Sequence, residues 1–387
     1  MVLERTMSAR RLESETVPLG EASGRVLAEF IAADRDYPPV ARSIRDGFAV
    51  RAADLPGRLE IVGEVRAGGE YAGDALAEGQ CVEIMTGAPI PAGADAVVMV
   101  EHARREGDAI VIIDRSQSPG DFINPAGAEA RAAQPVLPAG FRLGFAQIAL
   151  LATFGKTHVK VYRRPRVAIL STGDEIVPVE AVPTHTQVRN SNAHSVAAQV
   201  TRAGGVPVIL AVAPDEKEAT RALVAEGLEH DMLLLTGGVS AGKYDFVEPV
   251  LSEFGAEFFF DRVLIQPGQP LVFGRARERL FFGLPGNPVS TMVTFEVFAR
   301  AALELLTGQQ HSDLRLPRLK LTTDFRHKTG LTRFLPARVN EDATEVTPIR
   351  WQGSSDVVTV ARANAFVVCD ADVESWLAGD QIGVLFQ

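Results

Sequence analysis

The 387-residue sequence predicts a multidomain α/β plus β chain: a central doubly wound α/β domain, a β-rich inserted domain, a helical linker domain and a small C-terminal β domain. Three observations predict this. Strand and helix periods alternate over residues 167–235, short apolar runs separated by Gly, Pro and Asp fill residues 59–114, and short strand patterns return after residue 318. The bounds read from these shifts are 1–31 with 134–164 for the discontinuous helical linker domain, 32–133 for the insertion, 165–309 for the α/β domain and 310–387 for the last domain.

Taken in order, residues 11–33 read as helical, with Leu19, Ala22, Val26, Leu27 and Phe30 on one face. Asp46-Gly47 carries a turn signal. Strands are expected at 61–65, 81–85, 96–100 and 109–113, and a helix at 143–154. Arg163-Arg-Pro-Arg166 reads as a solvated linker. Beyond it come a strand at 167–170, a helix at 191–203 closed by Gly204-Gly205, a strand at 206–212, a helix at 216–228 and a strand at 232–235. This βαβαβ order implies a parallel sheet, whose ligands bind outside the carboxyl ends of its strands. The C-terminal strands are expected at 318–322, 332–339, 357–360, 366–369 and 382–386.

Composition narrows the function. A net charge of −10 argues against a nucleic-acid partner, and no apolar run approaches the ~18 residues of a membrane span. The charged N-terminus lacks the apolar core of a secretion signal, so a cytoplasmic enzyme is expected. Cys81 and Cys369 stand far apart and outside any C-x-x-C, which predicts buried free thiols. The histidines show no metal spacing. A metal here would be a hard cation such as Mg2+, held by carboxylates and phosphates.

The chemistry-bearing residues gather at predicted strand ends. Two glycine-rich turns follow apolar runs, Thr236-Gly-Gly-Val-Ser240 and Gly283-Leu-Pro-Gly-Asn-Pro-Val-Ser290, and a glycine loop feeding a helix N-terminus suits an oxyanion. In the second, Asn287 is the expected N-cap and Pro288 the first helical residue. Asp174, Glu175, Asp215 and Asp245 fall on the three loops at the strand ends, although Asp215 could equally cap its helix. Gly237 to Lys243 nearly matches a phosphate-binding P-loop, but Tyr244 stands where a Ser or Thr hydroxyl would meet magnesium.

Seven motifs in order resemble the molybdopterin molybdenumtransferases, the family of bacterial MoeA and the E domain of gephyrin. They are Ser43-Ile-Arg-Asp-Gly-Phe-Ala-Val50, Thr86-Gly-Ala-Pro-Ile-Pro-Ala-Gly-Ala-Asp-Ala-Val-Val98, Ser171-Thr-Gly-Asp-Glu175, Arg189-Asn-Ser-Asn192, Gly237-Gly-Val-Ser240, Gln266-Pro-Gly-Gln-Pro270 and Gly283 to Ser290. The resemblance implies a homodimer whose α/β domain binds adenylylated molybdopterin, with molybdate as second substrate and Mg2+ present, yielding molybdenum cofactor and AMP. It implies catalytic roles for Asp46, Thr86, Glu175, Asp215 and Asp245, the first two reaching the site from the partner subunit and the last three serving the metal. Ligand binding is implied for Ser171, Thr172, Gly173, Asp174, Asn192, Gly237, Gly238, Ser240, Gln266, Gln269, Pro285, Gly286, Asn287, Pro288 and Ser290. Contacts with a molybdopterin adenylyltransferase and with recipient molybdoenzymes are further implied.

The sequence departs from the family pattern at Ile44-Arg45, in a shorter N-terminal segment, and at Gln266 and Gln269, where relatives often carry lysine. The last change removes two positive charges from the turn implied to meet an anion. The alternative reading is a catalytically weak or tungstate-preferring homologue, or a scaffold protein on the same fold.

Overall fold

Helices on both faces of one sheet follow directly from the alternation of buried side chains along its strands. The computed structural model describes residues 1–8, 12–238, 246–310, 312 and 314–387. They form two units, one of residues 1–28, 140–144 and 158–387, the other of residues 29–139 and 145–157. In the first unit the α/β domain is built from β1 (Arg166–Ser171), α1 (Ser191–Arg202), β2 (Val206–Ile209), α2 (Lys217–Gly227), β3 (Met232–Thr236), α3 (Val247–Glu253), β4 (Glu257–Arg262), β5 (Pro270–Ala276), β6 (Arg279–Leu284) and α4 (Pro288–Thr294).

The sheet order is β2-β1-β3-β6-β5-β4. Strands β2, β1, β3 and β6 run parallel, while β5 and β4 extend the edge in antiparallel fashion. Val167 and Ile169 of β1, with Met232 and Leu234 of β3, pack beneath Val196 and Val200 of α1. Their sequence neighbours Ala168, Leu170, Leu233 and Leu235 face Val224 of α2 and Val250 and Leu251 of α3. Burying each such aliphatic side chain is worth about 1.5–3 kcal/mol, so both faces are committed to the core. The doubly wound expectation holds, with an antiparallel extension that the period of the sequence does not reveal.

Two local expectations are corrected. Residues 11–33 are not a helix: Ser14–Pro18 is a strand paired antiparallel with His158–Tyr162, followed by a single 3-10 turn at Leu19–Glu21. Pro18 and Gly24, the latter at φ +74, interrupt any helical run, and the strand partner lies too far along the chain for local pattern to show. Residues 357–360 are not a strand. They open the helix Val357–Arg362, because Asp356 accepts the Thr359 N–H at 3.0 Å and caps a β-branched run that otherwise reads as extended.

The C-terminal strands close into a barrel. Arg318–Leu321, Thr332–Val339, Glu345–Pro348, Ala365–Cys369 and Gln381–Phe386 pair in a cycle that the Thr332–Val339 to Ala365–Cys369 ladder completes. The short strand Ile265–Gln266 joins it from the α/β domain, pairing in parallel with Thr332 and Arg333.

In the second unit six strands form one sheet in the order Ala96–Met99, Gly47–Val50, Gln80–Ile84, Gly57–Val65, Ile110–Ile113 and Arg104–Glu106. Gly47 is required there by close approach. A Cβ at this position would lie 1.9 Å from the Val98 carbonyl oxygen. The unit also contains the helix Phe145–Thr153, which the sequence predicts at 143–154 as part of the linker domain. Both cysteines are buried free thiols, and burial is the main force pushing each up to about 12.

The basic run before β1 is not simply solvated. Arg163 donates two bonds of 2.7 Å to the buried Asp231 carboxylate, which also accepts the Arg166 N–H at 2.8 Å. Burial pushes the Asp231 pKa up, but these bonds and the charges of Arg163 and Arg279 outweigh it and hold the group below its ordinary value. A carboxyl lowered on folding contributes stability above its unfolded pKa and loses it as pH falls through the folded value. Asp231→Asn is therefore expected to cost about 2 kcal/mol in urea unfolding at neutral pH, with the difference from wild type shrinking below about pH 4. An equal cost at neutral and acid pH would show that the charge contributes nothing.

Candidate active site

The last residues of β1 and β3 are hydroxylic and buried, and their polar groups have to be satisfied among themselves. Ser171 Oγ donates to Asn190 Oδ1 at 3.0 Å and lies 2.9 Å from Thr236 Oγ1. Asn190 Oδ1 also accepts the Ala193 N–H at 3.1 Å, capping α1. With the Ser171 proton committed to Asn190, Thr236 must supply its own proton to Ser171. The chain of bonds runs in one direction, Thr236 to Ser171 to Asn190, and fixes the start of α1 against the ends of two strands.

These strand ends open into a cleft of about 820 Å³. Ser171, Thr172, Gly173 and Glu175 line it from the loop after β1, Asp215 from the loop after β2, and Gly237 and Gly238 from the loop after β3. Pro285, Gly286, Asn287 and Pro288 line it from the turn after β6. The glycine loop has to be glycine. Gly237 and Gly238 sit at φ +84 and +62, and a Cβ on Gly238 would lie 2.6 Å from Thr172 Oγ1. The turn after β6 is held by Thr291 Oγ1, which donates to the Pro285 and Asn287 carbonyls at 2.5 and 3.1 Å.

The individual expectations separate at this level. Asn287 is the residue before α4 with Pro288 next, as predicted, but its side chain makes no capping bond. Asp215 does not cap α2, whose N-cap position is Glu216. Asp174 instead accepts the Asp215 N–H at 3.1 Å and so holds the neighbouring loop. Asn192 donates to the Gly286 carbonyl at 2.7 Å, which leaves its Oδ1 buried without a partner among the described residues. Ser290 is buried within α4 and does not line the cleft. Gln266 and Gln269 also fall outside the lining, although Pro270 of the same turn belongs to it. Ser240 and Asp245 lie outside the described residues, as do Lys243 and Tyr244.

Several lining residues were missed: Ile176, Val188, Arg189, Asn190, Ser191, Thr236, Pro270, Ser355 and Val357. Arg189 and Asn190 stand in a quoted motif, so their neighbours carried the signal. Ser355 lies just before the helix Val357–Arg362 and Val357 is its first residue, and no local pattern links them to the cleft.

Asp46 and Thr86 meet in the second unit. The Thr86 N–H and hydroxyl both donate to Asp46 Oδ1, at 2.6 and 2.7 Å. The backbone bond first, then the side-chain bond, holds the exposed Asp46 carboxyl below its ordinary pKa. It is ionised at neutral pH with Oδ2 unpartnered among the described residues.

Glu175 and Asp215 are hard oxygen donors that line the cleft from two loops, and magnesium commonly takes one or two carboxylates with substrate phosphates and waters completing its shell. The residues present fit such an ion. Among the described residues no group of three or more His, Cys, Asp or Glu side chains forms an all-protein metal cage.

Comparison with known proteins agrees over the whole length. Residues 2–155 match the MoeA N-terminal region (domain I and II), residues 168–305 a probable molybdopterin binding domain, and residues 318–386 the MoeA C-terminal region (domain IV). A molybdopterin molybdenumtransferase of Bacillus subtilis (strain 168) is 37% identical over 388 aligned positions, covering 96% of this chain and 90% of that protein. A molybdopterin biosynthesis MoeA protein from Pyrococcus horikoshii OT3 superposes with a TM-score of 0.83 at 27% identity, covering 100% of this chain and 97% of the other. Another crystal structure of a molybdopterin biosynthesis MoeA protein from Pyrococcus horikoshii gives 0.76 at 31% identity, with the same coverage. The chain belongs to the molybdopterin molybdenumtransferase family.

Proposed function

We propose that this chain inserts molybdenum, taken from molybdate, into adenylylated molybdopterin and releases AMP, giving molybdenum cofactor. The observation that carries this reading is the cleft itself: four loops at strand ends, glycine backbone, and the acids Glu175 and Asp215 in one 820 Å³ space. Backbone N–H groups at a glycine turn and a helix start suit phosphate, while the acids suit a cation that neutralises it.

In this mechanism the loops after β3 and β6 seat the adenylate and pterin ends. Glu175, Asp215 and, outside the described residues, Asp245 would hold Mg2+, which would supply Lewis-acid polarisation of the phosphoryl group. The buried hydroxyl chain ending at Asn190 keeps the cleft floor rigid, so donors are in place before the ligand arrives. The Oδ1 of Asn192, unpartnered among the described residues, would accept an N–H from the ligand. The protein acts in the cytoplasm as a homodimer, each site completed by Asp46 and Thr86 of the partner. Support for that last point is chemical: Asp46 is an exposed, ionised carboxylate whose Oδ2 has no partner among the described residues.

Asp215→Asn and Asp245→Asn should each lower molybdate-dependent AMP release by at least about a hundredfold, since loss even of a metal ligand's supporting partner costs 10–100-fold. Thermal stability of the Asp215→Asn protein should stay within a few degrees, because a loop acid at a strand end contributes little to the core. An active variant, or an unfolded one, would remove that residue from the mechanism. Mixing Asp46→Asn with Asp215→Asn protein under conditions of subunit exchange should restore up to about a quarter of wild-type activity if sites are shared. Verified heterodimers with no recovery would refute the shared site.

A further inference from the structure

The cleft is poor in positive charge for a ligand that carries phosphate. Of the charged side chains among its described lining residues, Glu175 and Asp215 are negative and only Arg189 is positive. Gln266 and Gln269 cannot supply the charge, being neutral and outside the lining.

Arg189 is held for the task by its backbone and by one end of its side chain. It closes the strand Val188–Arg189, which pairs in parallel with Ile176–Val177. The Val188 N–H bonds the Glu175 carbonyl and the Asn190 N–H bonds the Val177 carbonyl, both at 2.9 Å, so Arg189 sits between the acid loop and the capping residue of α1. Its Nε donates to the Ala181 carbonyl at 2.9 Å. Both terminal nitrogens are without a hydrogen-bond partner among the described residues, and no carboxylate there forms an ion pair with it. A guanidinium anchored at Nε keeps its outer fork oriented, with donors to spare.

We propose that Arg189 is the phosphate-recognition residue of this cleft, its two terminal nitrogens engaging an adenylate phosphate oxygen pair. The proposal rests on the functional reading above. It assigns to a residue of the α1 side the charge that the glutamine turn lacks, on a strand paired with the one that directly follows Glu175, so that a bound phosphate would meet the guanidinium beside the acid loop. Bidentate contact to phosphate is what a planar fork does better than an ammonium.

AMP and adenosine separate the phosphate contribution from the rest of the nucleoside. With the full-length protein, calorimetric titration should show AMP binding about tenfold or more tighter than adenosine, from charge-assisted hydrogen bonds to one phosphate. Arg189→Gln should remove most of that ratio while leaving adenosine affinity unchanged, and Arg189→Lys should keep part of it. A ratio in Arg189→Gln equal to wild type overturns the proposal, as does a wild type that does not distinguish AMP from adenosine. Should Arg189→Gln lose its fold through the missing Ala181 bond, Arg189→Lys decides: an undiminished ratio there rejects the fork. The functional reading fails separately, in a wild-type protein that prefers AMP yet releases none from adenylylated molybdopterin and molybdate.

Discussion

The cleft depends on a set of hydrogen bonds that ties three loops to one another before any ligand is considered. Thr236, Ser171 and Asn190 pass a single proton direction across the ends of β3, β1 and the start of α1. Around them, Thr172 N–H reaches the Thr236 carbonyl, and Gly173 and Ala213 join the loops after β1 and β2 at 3.1 and 2.8 Å. Every member is buried or nearly so, and a half-satisfied network would cost more than none. The loops that carry Glu175, Asp215 and the glycine turn therefore share one frame.

Most of this frame was legible in the sequence because the alternating strands and helices of residues 166–236 are long and regular. The acids at strand ends followed from topology alone, and Glu175 and Asp215 do share the cleft. What stayed hidden had non-local causes. The Ser14–Pro18 strand exists through its partner His158–Tyr162, and the helix at Val357–Arg362 through one capping aspartate. Asn190, rather than the neighbouring Asn192 alone, matters because its side chain completes a network whose other members lie on two different strands. Gln266 and Gln269 fall outside the lining of the cleft, and Gln266 is paired with Arg333 of the barrel, a non-local contact that the motif does not show.

Charge is distributed by distance along the chain as much as by residue type. The acids sit on loops made flexible in sequence by glycine but rigid in space by backbone bonds, whereas the cation at Arg189 is anchored on a short strand. Asp46 follows another rule, fixed by a neighbour 40 positions away that spends both its donors on a single oxygen. A carboxylate so held presents one oxygen outward in a set direction, which is the property a coordinating or orienting group needs.

The strand Ile265–Gln266 leaves the α/β domain to pair with Thr332 and Arg333, and Val289 N–H bonds the Ser354 carbonyl at 3.0 Å. Ile265, Val289 and Val293 share a buried cluster with Phe334, Phe366, Val368 and Leu385. The two parts are thus not interchangeable modules. A chain divided near residue 310 would leave an α/β half carrying an uncovered apolar face and a barrel missing its seam. A change of side-chain volume at Val289 or Val293, on the helix that follows the last turn of the cleft, is therefore felt in the packing of the barrel as well.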